Sequence, residues 1–346
     1  NCIYMQNNIK ILAKTINAKL LIDENHLDWD YVCNNNNCSP VRYTRQWIYD
    51  FIEYKKSHGI ELINISLVIY SDINPCGIWP IAYLPGSKNP LIVYKNGILP
   101  PLFLNTLSNK VIKKKVKECL DFLDKLVSTI NGKAWNSIEG FSCCIGISEW
   151  QHQAILRGAS LETSHDLYVD LSLSMTEIKK RFRKSFKPLI GVGYKEWDVS
   201  IMQSNDVLLW NEFVDLHAKV SGRVTRSERT WSLQLECIRN NNAFLICLHD
   251  KNKKLIGGGL FYITKSFGAY MCGVYERSLF DKPLGHVVQF QAMIEMKSRG
   301  VLWYDIGERP YIADSNSSTD KEKSIAHFKQ GFTTHIFPKM NLTYEY

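Results

Sequence analysis

The chain has 346 residues, 45% of them hydrophobic and 22% charged, with a formal net charge of +8. That length and composition exclude a disordered chain and allow either two domains or one large one. The moderate positive charge favours anionic ligands such as nucleotides, coenzyme A or RNA, without choosing among them.

No run of about 18 apolar residues occurs, so no membrane-spanning helix is expected. The ten cysteines are irregularly spaced, with a vicinal pair at Cys143-Cys144 and no Cys-x-x-Cys. This predicts reduced core thiols in a reducing, cytoplasmic setting, and neither a disulfide framework nor a zinc site. Cys33 and Cys38 flank four asparagines but lack partners at zinc spacing. The chain begins at Asn1, which leaves room for an upstream peptide, and nothing in it reads as a signal sequence.

Ser39-Pro40 opens a predicted helix over 41–56, with Trp47, Ile48, Phe51 and Ile52 as its apolar stripe. Strands are expected at 62–70 and 78–84 around a turn at 72–77, then a helix over 105–130. Leu167-Tyr-Val-Asp-Leu171 reads as a strand, and Ser174-Met-Thr-Glu177 as a capping box that starts a basic helix ending at Pro188. A strand at 197–202 and helices at 207–220 and 229–239 follow. Strands at 243–249, 255–264 and 268–275 then form an antiparallel meander, joined by the turns 250–254 and 265–267. A helix over 285–298 and a strand over 301–306 complete an α+β order, distinct from the repeating βαβ order of a dinucleotide-binding fold.

Chemistry concentrates after residue 280. Lys282-Pro-Leu-Gly285-His286 brings a glycine and two potentially cationic side chains to a helix start, where unpaired backbone N–H groups suit a phosphate. A glycine that merely eases a tight loop is the other reading. Asp305 alternates with Trp303 and Gly307 on one strand face, and a buried aspartate needs a partner or a role. Among the groups that could accept a proton in a site here, Asp305 and Glu308 come first, and His286 and His217 after them. Phe328-Lys-Gln-Gly-Phe332 delivers a lysine near that strand's end. On spacing alone Lys329 either stabilises developing charge or caps its own helix.

Three arginines, Arg223, Arg226 and Arg229, fall at intervals of three in one loop. They read either as a clamp for an anionic substrate or as solvated loop residues. The lysines and arginines of 179–187 fit a solvated face better than a tRNA-backbone contact. No Gly-x-Ser-x-Gly elbow and no phosphate-binding Walker loop is present.

Taken in order, several stretches resemble the FemAB-like branch of the GNAT superfamily. They are Ser39-Pro40 with Trp47, Gly77-Ile-Trp-Pro80, Asp166-Leu-Tyr-Val-Asp-Leu-Ser172 with its basic helix, Gly257-Gly-Gly259, the Gly285 loop, Tyr304-Asp-Ile-Gly307 and Phe328-Lys-Gln-Gly-Phe332. The resemblance spans roughly 39–335, and the usual Gln/Arg-x-x-Gly-x-Gly/Ala loop of GNAT enzymes is absent. It implies two GNAT-like halves: 1–160 on the acceptor side, 161–335 as the catalytic half, and a tail, 336–346, returning to the first. It also implies transfer of an acyl group from acetyl-CoA or another acyl-CoA, without a metal, to an amine. The expected acceptor is a small anionic molecule, an amino-sugar nucleotide or a related surface-glycan intermediate, near Arg223, Arg226, Arg229, Trp79 and Tyr275. Phe328 and Lys329 match the family's donor-channel pair, and Lys282, Gly285 and His286 fall at its coenzyme loop. An aminoacyl-tRNA donor acting on a peptidoglycan precursor is the alternative, and a non-catalytic glycan-binding module the second.

Overall fold

The computed structural model describes residues 2–22, 25–143, 146–312, 314 and 318–346. The chain divides into two units, Asn1–Ser164 with Pro338–Tyr346, and His165–Phe337. Among the described residues no helix is long and apolar enough to cross a membrane.

The first unit runs α1 (Cys2–Lys14), β1 (Ala18–Leu20), α2 (His26–Asn35), α3 (Arg45–Ser57), β2 (Ile63–Asn64), β3 (Leu67–Ser71), β4 (Asn74–Trp79), β5 (Ala82–Tyr83), β6 (Leu91–Ile92), β7 (Leu102–Phe103), α4 (Asn109–Thr129), β8 (Ala134–Glu139) and α5 (Glu149–Leu156). Thr44 caps α3 by accepting from the Trp47 amide, so the expected helix starts one turn late, after a short 3-10 turn. The expected turn over 72–77 is tighter: Asp72 takes a left-handed φ of 53° and β4 begins at Asn74. Trp79, Phe122, Trp135 and Trp150 meet in the core of this unit under α4.

The absence of disulfides expected from the spacing is corrected here, because Cys38 is bonded to Cys143 across 105 residues. Local spacing cannot show a pairing that only the fold brings together. Cys33, Cys76, Cys119, Cys237, Cys247 and Cys272 are buried and not disulfide-bonded, and Cys144 lies outside the described residues.

The second unit runs from β9 (Ser160–Asp170) through α6 (Met175–Arg181), α7 (Phe186–Glu196), β10 (Asp198–Ile201), α8 (Val207–Ser221), α9 (Glu228–Arg239), β11 (Ala243–His249), β12 (Leu255–Ile263), β13 (Phe267–Tyr275), α10 (Gly285–Ser298), β14 (Trp303–Glu308) and α11 (Asp320–Gln330) into β15 (His335–Glu345). Its strands lie in the order β10-β11-β12-β13-β14-β9, with β15 next. The basic segment is two helices rather than one. Pro188 does not end it but sits in the first turn of α7, where a helix needs no N–H from that residue. Apolar side chains of β9, β11, β12, β14, α7 and α10 form the unit's core, with Phe332 fully buried in it.

The tail belongs to the first unit. Residues Met340 to Glu345 of β15 pair antiparallel with β8, from Met340↔Glu139 to Glu345↔Ala134. Leu342 is buried in the first unit's core.

Candidate active site

In the second unit β13 and β14 pair in parallel, and their ladder is short: Phe267↔Trp303, Gly268↔Tyr304 and Ala269↔Asp305. Both strands lose regular register with their outer neighbours at that level. On β13 the shift falls opposite Leu260/Phe261, and on β14 between Asp305 and Gly307. Bulges of this kind bend a strand and end its pairing. Beyond the last pair, Tyr270 and Tyr275 belong to one strand and Gly307 and Glu308 to the other.

Helix α11 delivers a lysine to this parting. The helix starts from a reciprocal capping box, in which the Thr319 hydroxyl accepts from the Glu322 amide at 3.2 Å while the Glu322 carboxylate accepts from the Thr319 amide at 2.7 Å. Near its end Phe328 packs on Phe186 and Phe332, with ring centroids 5.4 and 5.3 Å away. Lys329 then extends across Gly307. A Cβ on that glycine would lie 2.8 Å from the Lys329 Nζ, and Gly307 holds a φ of 134°, which favours glycine. The same ammonium lies 5.0 Å from the Tyr270 ring centre.

Burial lowers the Lys329 pKa, while the charges of Asp305 and Glu308 oppose that shift. Asp305 is 7% exposed. The three residues that sequence reasoning placed at a strand end therefore share one electrostatic environment. Tyr270 was missed, since nothing local marks it among the other aromatics of the meander.

Gly285 begins α10 without a side-chain cap from Leu284. A Cβ there would stand 3.1 Å from Phe328 and 3.6 Å from the Tyr275 hydroxyl, so both close on the helix start. Burial pushes the Tyr275 and Tyr270 phenols up, which keeps them neutral. The structure thus gathers Gly285, Tyr275, Phe328, Lys329, Asp305 and Glu308 in this unit.

Other candidates fall elsewhere. The His286 ring lies edge-on to Phe186 and Phe328, at 4.6 and 5.0 Å. Burial, and then Arg183, lower its pKa to about 4, so it is a neutral wall residue and a weak base at neutral pH. Lys282 pairs with Glu196 at 3.2 Å. The three loop arginines expected as a clamp have the following surroundings. Arg226 turns toward His217 at 3.2 Å and over Trp231, Arg229 approaches Glu236 at 3.9 Å, and Arg223 is exposed. Trp79 is corrected to a core residue, 0% exposed, whose indole donates to the Leu99 carbonyl at 2.9 Å. It offers a substrate no surface.

No protein-family model matches the chain, and no curated protein does. Solved structures do. FemX superposes with a TM-score of 0.67 at 12% identity, over 95% of this chain and 97% of its own. L-PGS from Bacillus licheniformis gives 0.59 at 10% identity, over 91% and 90% of the two chains. The DUF2156 domain of a protein assigned as a lysylphosphatidylglycerol synthetase from Agrobacterium fabrum gives 0.58 at 10%, over 93% and 92%. Identities this low speak to fold. The chain shares its α+β fold with FemX.

Proposed function

We propose that the protein is an N-acyltransferase in which an acceptor amine attacks an activated acyl carbonyl directly, with no covalent enzyme intermediate. The observation that supports this most is the Lys329 ammonium, drawn over Gly307 beside Asp305 and Glu308 where β13 and β14 part. Attack on a thioester or ester gathers negative charge on the carbonyl oxygen. An ammonium already near the reacting carbonyl, with little water around it, stabilises that charge. The two carboxylates favour the charged form of Lys329 and so work against its desolvation.

In this reading the donor is an acyl-CoA, with its phosphates at the Gly285 helix start and Phe328 along the path to Lys329. Lys282 would reach such a phosphate by exchanging its surface partner Glu196. Such a donor would place the reaction in the cytoplasm. Arg226 and Arg229 have protein partners in His217 and Glu236, so the acceptor is defined here only as an amine, with amino-sugars as one class to assay. A second reading, an aminoacyl-tRNA donor, draws on the likeness to FemX and to a protein whose name denotes lysyl addition to a lipid.

Release of free thiol from acetyl-CoA and longer acyl-CoAs, measured with a panel of amines, tests the first reading. Charged tRNA with the same acceptors tests the second. Lys329→Ala is expected to reduce turnover by roughly 100-fold or more. Absence of turnover with either donor would favour a glycan-binding module and refute both.

A further inference from the structure

Direct attack by an amine releases a proton, and the candidates named from the sequence are poorly suited to take it. Asp305 and Glu308 act on the lysine, while His286 and His217 are both lowered to about 4 by burial and a neighbouring arginine. We propose that His165, backed by Asp314 in a cluster with Tyr311 and Arg309, accepts the proton of the acceptor amine; this rests on the acyl-transfer reading above.

The placement follows from strand register. Gly307 pairs with Leu167 and Glu308 with Asp166, and the Arg309 amide extends the ladder by donating to the His165 carbonyl at 2.9 Å. Side chains alternate along a strand, so His165 shares a face with Leu167 and therefore with Gly307, over which Lys329 lies. Two residues of strand span about 7 Å. An acceptor amine between Lys329 and His165 would thus have a charge stabiliser on one side and a base on the other.

The cluster around His165 is built from both sides. The imidazole Nδ1 faces the Asp314 carboxylate at 3.7 Å, and that carboxylate accepts from the Tyr311 amide at 2.7 Å. The Tyr311 ring stands edge-on to the imidazole at 4.9 Å, and the Arg309 guanidinium lies over Tyr311 at 4.8 Å. Arg309 donates from Nε to the Gln330 side chain at 2.7 Å and from Nη1 to the Pro310 carbonyl at 2.9 Å. Gln330 follows Lys329 on α11, so one helix end anchors both halves of the arrangement.

The Nδ1 atom is buried, without a hydrogen-bond partner among the described residues, whereas the side chain is 31% exposed. The exposure therefore belongs to the rest of the ring. Proton uptake there would turn the 3.7 Å approach to Asp314 into an attractive ion pair, and catalytic hydrogen bonds are commonly long before substrate binds. The charged and titratable groups around the imidazole are Asp314, Tyr311 and Arg309 from the loop. Asp166 and Glu308 lie on the adjoining strand positions, and Lys329 on α11.

In the step itself the amine nitrogen bonds to the carbonyl carbon and the thioester C–S bond breaks, its electron pair leaving on sulfur. For an aminoacyl ester the C–O bond breaks instead. The amine proton passes to His165 and from there to the leaving group or water.

The test is kcat and KM against pH for the full-length wild type, His165→Gln, His165→Asn and Asp314→Asn, with whichever donor the wild type uses. His165→Gln is expected to lose about 100- to 1,000-fold in kcat at pH 7. That loss should narrow toward pH 10, where the acceptor amine is already neutral. His165→Asn should be equally slow, because it can meet Asp314 but cannot carry the proton. Asp314→Asn should lose roughly tenfold with the same recovery, and supplies the pH test if the His165 variants fold poorly. A loss that does not change with pH, or a wild-type rate in His165→Asn, would make the residue a positioning group and overturn the proposal. An active wild type with an equally active His165→Gln would overturn it while leaving acyl transfer intact. A wild type inert with every donor would take down both.

Discussion

Replacing Gly307 with alanine is expected to damage activity through Lys329 and stability through the backbone. A φ of 134° is a region essentially reserved for glycine, and holding alanine there costs about 1–3 kcal/mol. The new methyl carbon would also stand 2.8 Å from the Lys329 Nζ, well inside ordinary contact. The flexible lysine yields before the strand does, so the ammonium retreats by roughly 0.5–1 Å. A displacement of that size at a charge-stabilising group costs on the order of 100-fold in rate. Urea unfolding gives the stability term, and kcat/KM gives the activity term for Gly307→Ala, Lys329→Met and the double variant. If the glycine acts through the lysine, the double variant should be no slower than Lys329→Met alone. Wild-type turnover in Gly307→Ala, or losses that simply multiply in the double variant, would refute the reasoning.

Three further outcomes concern protons and thiols. Burial depresses the Lys329 pKa in the folded state, so between that value and 10.5 the unfolded chain holds more protons. The wild type should gain stability relative to Lys329→Met as pH rises through this window, and a urea-midpoint difference that moves the other way would contradict it. Glu139 is pushed up from 4.5 to about 7, chiefly by burial, although Ser148 donates to it at 2.7 Å. Its folded form then holds a proton that the unfolded chain has lost, and stability falls as pH climbs from 4.5 to 7. Glu139→Gln should therefore stabilise the first unit at pH 8 by on the order of 3 kcal/mol relative to its effect at pH 4; a difference independent of pH would count against a buried, protonated carboxyl. Reducing Cys38–Cys143, which closes a loop across 105 residues, should cost about 4–5 kcal/mol in the chain-entropy picture. An unfolding midpoint unmoved by reductant would deny that cross-link a structural role.

The meander β11–β12–β13 and helix α10 stand within a residue of where alternation and turn residues put them, because short turns make neighbours in sequence neighbours in space. The Asp305–Lys329 juxtaposition was legible for a similar reason: a strand, a loop and a capped helix follow one another directly. Side-chain direction in loops was not. Arg223, Arg226 and Arg229 carry the same charge at even spacing, yet Arg226 meets His217 and Trp231 while Arg229 approaches Glu236. Trp79 shows the same limit from the other side, since an aromatic beside a glycine and a proline reads equally as core or as platform. Pro188 was read as a stop because the rule does not distinguish a helix end from the first turn of the next one.

The tail also fixes an order of events. Residues His165–Phe337 form one unbroken stretch, so the second unit holds all of its own chain before residues 338–346 are made. The first unit does not, because the partner of β8 and the core residue Leu342 lie in the last nine residues, Pro338–Tyr346. On the ribosome the N-terminal unit must wait, with one strand edge uncovered, while the unit encoded after it is completed. The unit whose chain starts first is completed only after the unit that interrupts it.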